Sequence, residues 1–255
     1  SALTWRLGMT LTWLLQDTNG GGGGVAMLGH AVRGVEAGAA KAIVVIGGDA
    51  LGLQGFAKLT ANYNRAIRDH VSPGNLVVSL AAGIPTHYLE SRLPEGVAVV
   101  RVMPNTPALV DQGMAAVSPG RSADAAHLDE AAELLRSCGR VVQVAEKHQD
   151  AVTAISGSGP AYIFYVVEAM IEAGVVLGLP RPTATELVVQ TLFGAATMMR
   201  ETGQHPTVLR EQVTSPGGTT AAALRQLDDH KVRAAIITAM EAAANRSHSL
   251  ASSND

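Results

Sequence analysis

Asp150-Ala-Val-Thr-Ala-Ile-Ser-Gly-Ser-Gly-Pro-Ala-Tyr162 marks the point where the character of the chain changes. Downstream, strand signals vanish and long Ala-rich segments follow at residues 162–177, 181–202, 220–227 and 232–250, all predicted as helices. Upstream, short β-branched runs alternate with helical patterns. Leu76-Val-Val-Ser-Leu-Ala-Ala-Gly83 reads as a buried strand, with further strands at residues 97–102 and at Val141-Val-Gln-Val144. Between them the pattern predicts a short helix at 86–92 and an amphipathic helix at 129–138, with Leu128, Leu134 and Leu135 turned inward. Strand–helix alternation followed by helices alone predicts an α/β part over residues 1–149 joined to an all-helical part over 150–255.

The first 73 residues have a different texture. Thr10-Leu-Thr-Trp-Leu-Leu15 suggests a strand, and Gly20 to Gly24 is an unbroken glycine run with maximal backbone freedom. Val25, Leu28, Val32 and Val35 recur at helical spacing up to Gly38, a good residue to end a helix. Ile43-Val-Val-Ile46 predicts a buried parallel strand, and 53–70 reads as loop and polar helix. Pro73 and Gly74 punctuate the junction. The chain begins on Ser1 rather than Met, as a fragment would, and Arg6 within its apolar opening argues against a signal peptide.

Composition narrows the classes. The 255 residues are 47% apolar and 16% charged, which suits a helix-rich globular protein with a real core. Aromatics are only 4%, so that core must be Ala, Val, Leu, Ile and Met. A net charge of −3 offers no cationic footprint for nucleic acid or an anionic membrane as partner. No uninterrupted apolar run approaches the roughly 20 residues that span a bilayer. The lone Cys138 excludes an internal disulfide and suits a reducing, cytoplasmic setting as an inert buried residue. His87, His127, His148, His205, His230 and His248 form no helical pair, so no metal site is expected. Glu168 and Glu172 share a solvated helix face, and Met198-Met199 reads as core filling.

Three motifs carry chemistry. Met103-Pro-Asn-Thr-Pro107 closes a strand, where open α/β sheets place ligands; Asn105 and Thr106 offer donors and acceptors, although an ordinary turn would look the same. In Ser156-Gly-Ser-Gly-Pro-Ala-Tyr162, Pro160 suits a first helical turn capped by Ser158 or Gly159. The free amides there would form an anion cradle, or merely a well-capped helix end. Thr214-Ser-Pro-Gly-Gly-Thr-Thr220 also opens a helix, with glycines that let backbone approach a ligand and hydroxyls that can donate to it. Loops of this kind suit a small anionic metabolite held by amides rather than by Lys or Arg.

Leu80-Ala-Ala-Gly-Ile-Pro85, Arg101 to Pro107, Asp150 to Tyr162 and Val213 to Thr220, with Gln204-His-Pro206 and the tail 241–250, resemble pyrroline-5-carboxylate reductase. The resemblance runs from about Gly74 to Leu250. It implies a Rossmann-like domain followed by an all-α dimerisation domain that interlocks with a partner subunit, in a homodimer or higher homo-oligomer. It implies reduction of 1-pyrroline-5-carboxylate to L-proline by NADPH or NADH, the last step of proline biosynthesis. It places the substrate carboxylate on the amides of Ser215, Gly217, Gly218 and Thr219. The hydroxyl of Thr220, the implied catalytic group, faces the ring nitrogen. Ala82, Gly83, Asn105 and Pro107 match the cofactor-side loops.

The first 73 residues depart from that pattern. A strand running into Gly-x-Gly-x-x-Gly/Ala is expected, and Gly22-x-Gly24-Val-Ala-Met27 lacks the third small residue. No Val-Lys-Pro follows, and Asp49 is a faint counterpart of a ribose-binding acid. Residues 17–71 loosely resemble part of a thiolase-type domain, but no cysteine stands near Gly20 to Gly24, so thiolase activity is not expected. Either this segment is a divergent cofactor half or it is foreign to the rest. The second case predicts a catalytically impaired fusion or truncated homologue acting only as a dimerising helical domain.

Overall fold

A computed structural model describes residues 43–46, 68 and 71–252, with the backbone alone for 43–46, 251 and 252. The strand expected at 10–15, the glycine run, the helix at 25–38, Asp49 and nearly all of 53–70 lie outside the described residues. The chain divides into two compact units, Ser1–Pro160 with Met240–Asp255, and Ala161–Ala239.

The first unit is built on a five-stranded sheet in spatial order β1 (Ile43–Ile46), β2 (Leu76–Ser79), β3 (Ala98–Met103), β4 (Gly113–Pro119), β5 (Gly139–Gln143). β1, β2 and β3 run parallel, with Ile43 opposite Leu76 and Leu76 opposite Ala98. Every residue of β2 and β3 is buried, as expected of largely apolar strands covered on both faces. Alternation sorts their side chains. Val77, Val97 and Val99 pack with Tyr88 and Leu89 of helix α1 (Thr86–Glu90). Leu76, Val78, Val100 and Val102 pack on the other face with Leu128, Ala131 and Leu135 of helix α2 (Ala125–Arg136).

The sheet contains a strand that the sequence pattern does not predict. β4 is antiparallel to β3, with Met103 opposite Ala116, and β5 joins it parallel. Ala115 and Ala116 are poor strand formers, so pairing with β3 overrides local preference. Two glycines open the β4–β5 pair. A Cβ on Gly113 would lie 2.8 Å from the Ala108 Cβ, and Gly139, at φ +153°, has no room against the Gly113 backbone. The helix expected from 129 begins four residues earlier, because Asp124 accepts the His127 amide and His127 Nδ1 accepts the Asp124 amide, a reciprocal cap. That amide is the main reason the Asp124 carboxyl titrates below its usual value.

From Glu146 the chain is helical through Val176. A 3₁₀ turn (Glu146–His148), α3 (Gln149–Val152) and a π turn (Thr153–Gly157) lead into α4 (Gly159–Val176). The second unit contains most of α4, then α5 (Arg181–Thr202), α6 (Pro206–Gln212), α7 (Thr219–Asp229) and the start of α8 (Val232–Ser252). α5 has the predicted limits, ending on Gly203 at φ +63°. α6 is too short for a periodic signal; Pro206 opens it, and His205 Nδ1 accepts the Thr207 amide. α4 and α5 approach closely, since a Cβ on Gly174 would lie 2.8 Å from the Ala184 Cβ. Arg181 adds a bidentate pair to Glu172, at 2.7 and 3.1 Å.

No side chain of α4 is buried in the single chain, and Phe164 and Phe193 are 65% and 66% exposed. Met198 and Met199 are 50% and 42% exposed, so they do not fill this chain's core. The 31-residue run Glu146–Val176, with a window of mean hydropathy 1.3, is long and apolar enough by composition to cross a bilayer. The run is not uninterrupted: Ser, Gly and Thr break it, and Glu168 and Glu172 lie within it. An apolar helix of this kind needs another surface to cover it.

Two outcomes are expected. Leu89→Ala, at a wholly buried site, should lower stability by about 2–5 kcal/mol in urea unfolding. Hydrogen bonding from Arg181 holds the Glu172 carboxyl below its ordinary value of 4.5, so the folded state favours the carboxylate. The pair's small contribution is therefore present above pH 4.5 and lost as the pH falls through the lowered folded value. The Tm gap between wild type and Glu172→Gln should be open at neutral pH and close in acid.

Candidate active site

β3 ends at Met103, and Pro104 and Pro107 bend the chain into a 3₁₀ turn (Thr106–Val110) at the carboxyl end of the parallel strands. Asn105, at the head of that turn, uses its whole side chain internally. Its Oδ1 accepts the Met114 amide at 2.8 Å. Its Nδ2 donates to both the carbonyl and the hydroxyl of Ser156, each at 3.3 Å. Asn105 thus pins the turn to the start of β4 and to the helical run.

Ser156 has its carbonyl available because of Pro160. A proline has no amide hydrogen to return to the residue four before it, and its ring crowds that carbonyl. The helix widens at this point, with the Ser158 amide donating to Thr153 O at 2.8 Å, and Gly157 leaves space beside Met103, where an added Cβ would lie 3.2 Å from Sδ. Of the two readings of residues 156–162, the anion cradle is the one that this geometry disfavours. Ser158 has helical dihedrals within a continuous run, so no free helix N-terminus exists there.

The preceding strand end carries Ala82 and Gly83. Gly83 is buried with φ +72°, a left-handed conformation that costs glycine least. Ala82, Gly83, Asn105 and Pro107 therefore lie in two turns that follow adjacent parallel strands of one sheet.

Ser215, Gly217, Gly218, Thr219 and Thr220 come together in the second unit. The Gly218 amide donates to Ser215 O at 3.0 Å, closing a turn in which Gly217 has φ +69°. A Cβ on Gly218 would collide with Ser215 Oγ, so both glycines are dictated by the turn. Gly218 is the N-cap of α7, and no side chain caps that end. Thr219 and Thr220 form its first turn, exposed and half-buried respectively. An uncapped helix start beside two hydroxyls can take a small anion on its amides.

Sequence reading assigns no role to several polar groups. Arg101 is 4% exposed in β3, and Glu146 receives its Nη1 at 3.3 Å. Gln149 is wholly buried and donates to Ser118 Oγ at 2.7 Å. Asp150 accepts the Ser247 hydroxyl at 2.6 Å. The visible signal was Arg101 itself, a charge inside Val-Val-Arg-Val that demands a partner once both sheet faces are covered. Cys138 is buried and donates to Leu135 O. Among the described residues, no group of three or more His, Cys, Asp or Glu side chains could hold a metal ion.

A parallel-stranded α/β unit with ligand-type turns at its strand ends, joined to a helical unit with an anion-type helix start, defines a Rossmann-like two-unit protein. Residues 146–250 match the family described as pyrroline-5-carboxylate reductase dimerisation. The pyrroline-5-carboxylate reductase of Corynebacterium melassecola is 53% identical over 182 residues, 71% of this chain and 67% of that protein. That of Methanosarcina acetivorans is 40% identical over 221 residues, 87% of this chain and 82% of that protein. The structure of a Coxiella burnetii pyrroline-5-carboxylate reductase has TM-score 0.73 and 38% identity, covering 84% of this chain and 78% of that one. The Plasmodium falciparum enzyme, solved with NADP bound, has TM-score 0.73 and 30% identity, covering 82% and 77%. The chain belongs to the pyrroline-5-carboxylate reductase family.

Asn105→Ala removes three hydrogen bonds and strands the Met114 amide. A loss of about 1–3 kcal/mol in urea unfolding is expected, and an unchanged midpoint would contradict the pinning role.

Proposed function

We propose that the chain reduces 1-pyrroline-5-carboxylate to L-proline, with NADPH or NADH as reductant. The observation that carries this is the Ser215–Thr220 turn, a glycine-built, uncapped helix start, within a chain 53% identical to a pyrroline-5-carboxylate reductase. The substrate carboxylate rests on the amides of Ser215, Gly217, Gly218 and Thr219, where the helix dipole favours negative charge. The Thr220 hydroxyl faces the ring nitrogen and steers the proton that it gains as the C=N bond becomes C–N. The chemistry that a nicotinamide supplies, when bound, is a pair of electrons with hydrogen to the imine carbon.

The described residues suit one side of a dinucleotide site. Ala82 and Gly83 keep the β2 end small, and the prolines stiffen the β3 end. With the Asn105 side chain committed to Met114 and Ser156, its turn meets the cofactor through backbone and Pro107. The Plasmodium falciparum structure holds NADP, which supports the cofactor class. The match to the Methanosarcina acetivorans protein covers more of this chain than 74–255 alone contains, which favours a divergent cofactor half over a foreign piece before Gly74.

We take 1–149 as the cofactor part and 150–255 as the substrate and dimerisation part. The match over 146–250 and the exposed apolar side chains of α4 support a homodimer or higher homo-oligomer, with another copy rather than a bilayer on those apolar faces. A cytoplasmic setting is supported by the single reduced cysteine.

NADPH fluorescence on titration with protein, then imine-dependent loss of NADPH absorbance, tests the reading. Binding and turnover are expected; absence of both leaves only the dimerising helical domain. Thr220→Ala should lower kcat on the order of 10²-fold. Wild-type turnover in that variant would refute the role of the hydroxyl.

A further inference from the structure

Glu146 joins three elements through one carboxylate. Oε1 accepts the Thr86 amide and Oε2 the Thr86 hydroxyl, each at 2.7 Å. Oε1 also receives Arg101 Nη1 at 3.3 Å. Thr86 is the first residue of α1, and Pro85 before it supplies no side-chain cap. A carboxylate 60 residues away in sequence therefore caps that helix. Arg101 depends on the same group, since its buried Nε and Nη2 have no partner.

The placement links these contacts to the two turns that follow β2 and β3. Thr86 comes three residues after Gly83, so anchoring its amide anchors the β2 end. Arg101 stands on β3 just before the Met103–Pro107 turn. Glu146 opens the helical run whose Ser156 carbonyl and hydroxyl hold Asn105. The segment from Glu146 to Ser156 thus grips the β2 turn with one end and the β3 turn with the other. Glu146 thus accepts from an amide, a hydroxyl and a guanidinium beside two adjacent strand ends.

We propose that Glu146 is a positioning residue for dinucleotide binding, setting the spacing of the Ala82–Gly83 and Asn105–Pro107 turns. The proposal rests on the reductase reading above. The neutral amide of Glu146→Gln keeps the shape but loses a carboxylate acceptor and the charge facing Arg101. The Kd for NADPH should rise about tenfold, as expected for loss of a charge-assisted hydrogen bond. KM for NADPH should rise in parallel, while KM for the imine stays within about twofold, because the substrate amides belong to the Ser215–Thr220 turn. Glu95→Gln, at an exposed carboxylate, should match wild type.

Equal NADPH Kd values for wild type and Glu146→Gln would overturn the proposal, as would equal rises in both KM values. If Glu146→Gln does not fold, Thr86→Val decides. It removes only the hydroxyl and should weaken NADPH binding, with Thr86→Ser restoring it; wild-type NADPH affinity in Thr86→Val overturns the role. A wild type that binds NADPH without reducing the imine refutes the catalytic reading, and the Kd comparison still decides the role of Glu146. A wild type that binds no NADPH refutes both.

Discussion

Pro160 cannot donate a hydrogen bond, and the first unit is arranged around that gap. The Ser156 carbonyl loses its helical donor, the backbone widens into a π turn, and the Asn105 amide takes the vacant place. Asn105 in turn holds the Met114 amide, where β4 sets off in the direction opposite to β3. One missing hydrogen thereby ties a helix to a strand-end turn and that turn to the next strand. Glu146, ten residues earlier in the same run, makes a second attachment through Thr86 and Arg101. The two attachments bracket the turns at which a parallel sheet receives its ligand.

Much of this is legible in the sequence. The strands at 76–79 and 98–103 announce themselves by their valine-rich runs, and α5 by its Ala-rich interior between Pro and Gly. The substrate-side turn was legible because glycine at φ +69° and a neighbour crowded by Ser215 leave little freedom of residue choice. What stayed hidden depends on contacts distant in sequence. β4 is a strand only because β3 lies beside it, and α2 starts early through a cap completed by histidine rather than the usual Glu or Gln. Pro160 stands in the first turn of α4, as expected, but the run before it was not legible. Proline favours the first turn of a helix, and nothing in the local pattern shows that a helix is already running when it arrives.

The second unit poses a different problem. Its helices have limits that local propensity accounts for, but the single chain does not bury their apolar sides. Phe164, Tyr165 and Phe193 are each at least 65% exposed, far more than an isolated chain would keep in water without cost. Sequence patterning shows which residues are apolar, not which molecule covers them. The reading of Met198 and Met199 as internal filling failed on this point, since a core shared between chains leaves the same composition as a core within one.

Asp150 and Ser247 meet across a separation of 97 residues, and both belong to the sheet-bearing unit. Ala161–Ala239 is therefore, in connectivity, an insertion with two crossings rather than an appended tail. During synthesis at 5–20 residues per second, Asp150 waits roughly 5–20 s for its partner to be made. Until then α3 lacks its hydrogen bond to α8, and a chain cut short within the insertion never gains it. A single proteolytic cut within the insertion, by contrast, leaves both fragments held by a crossing.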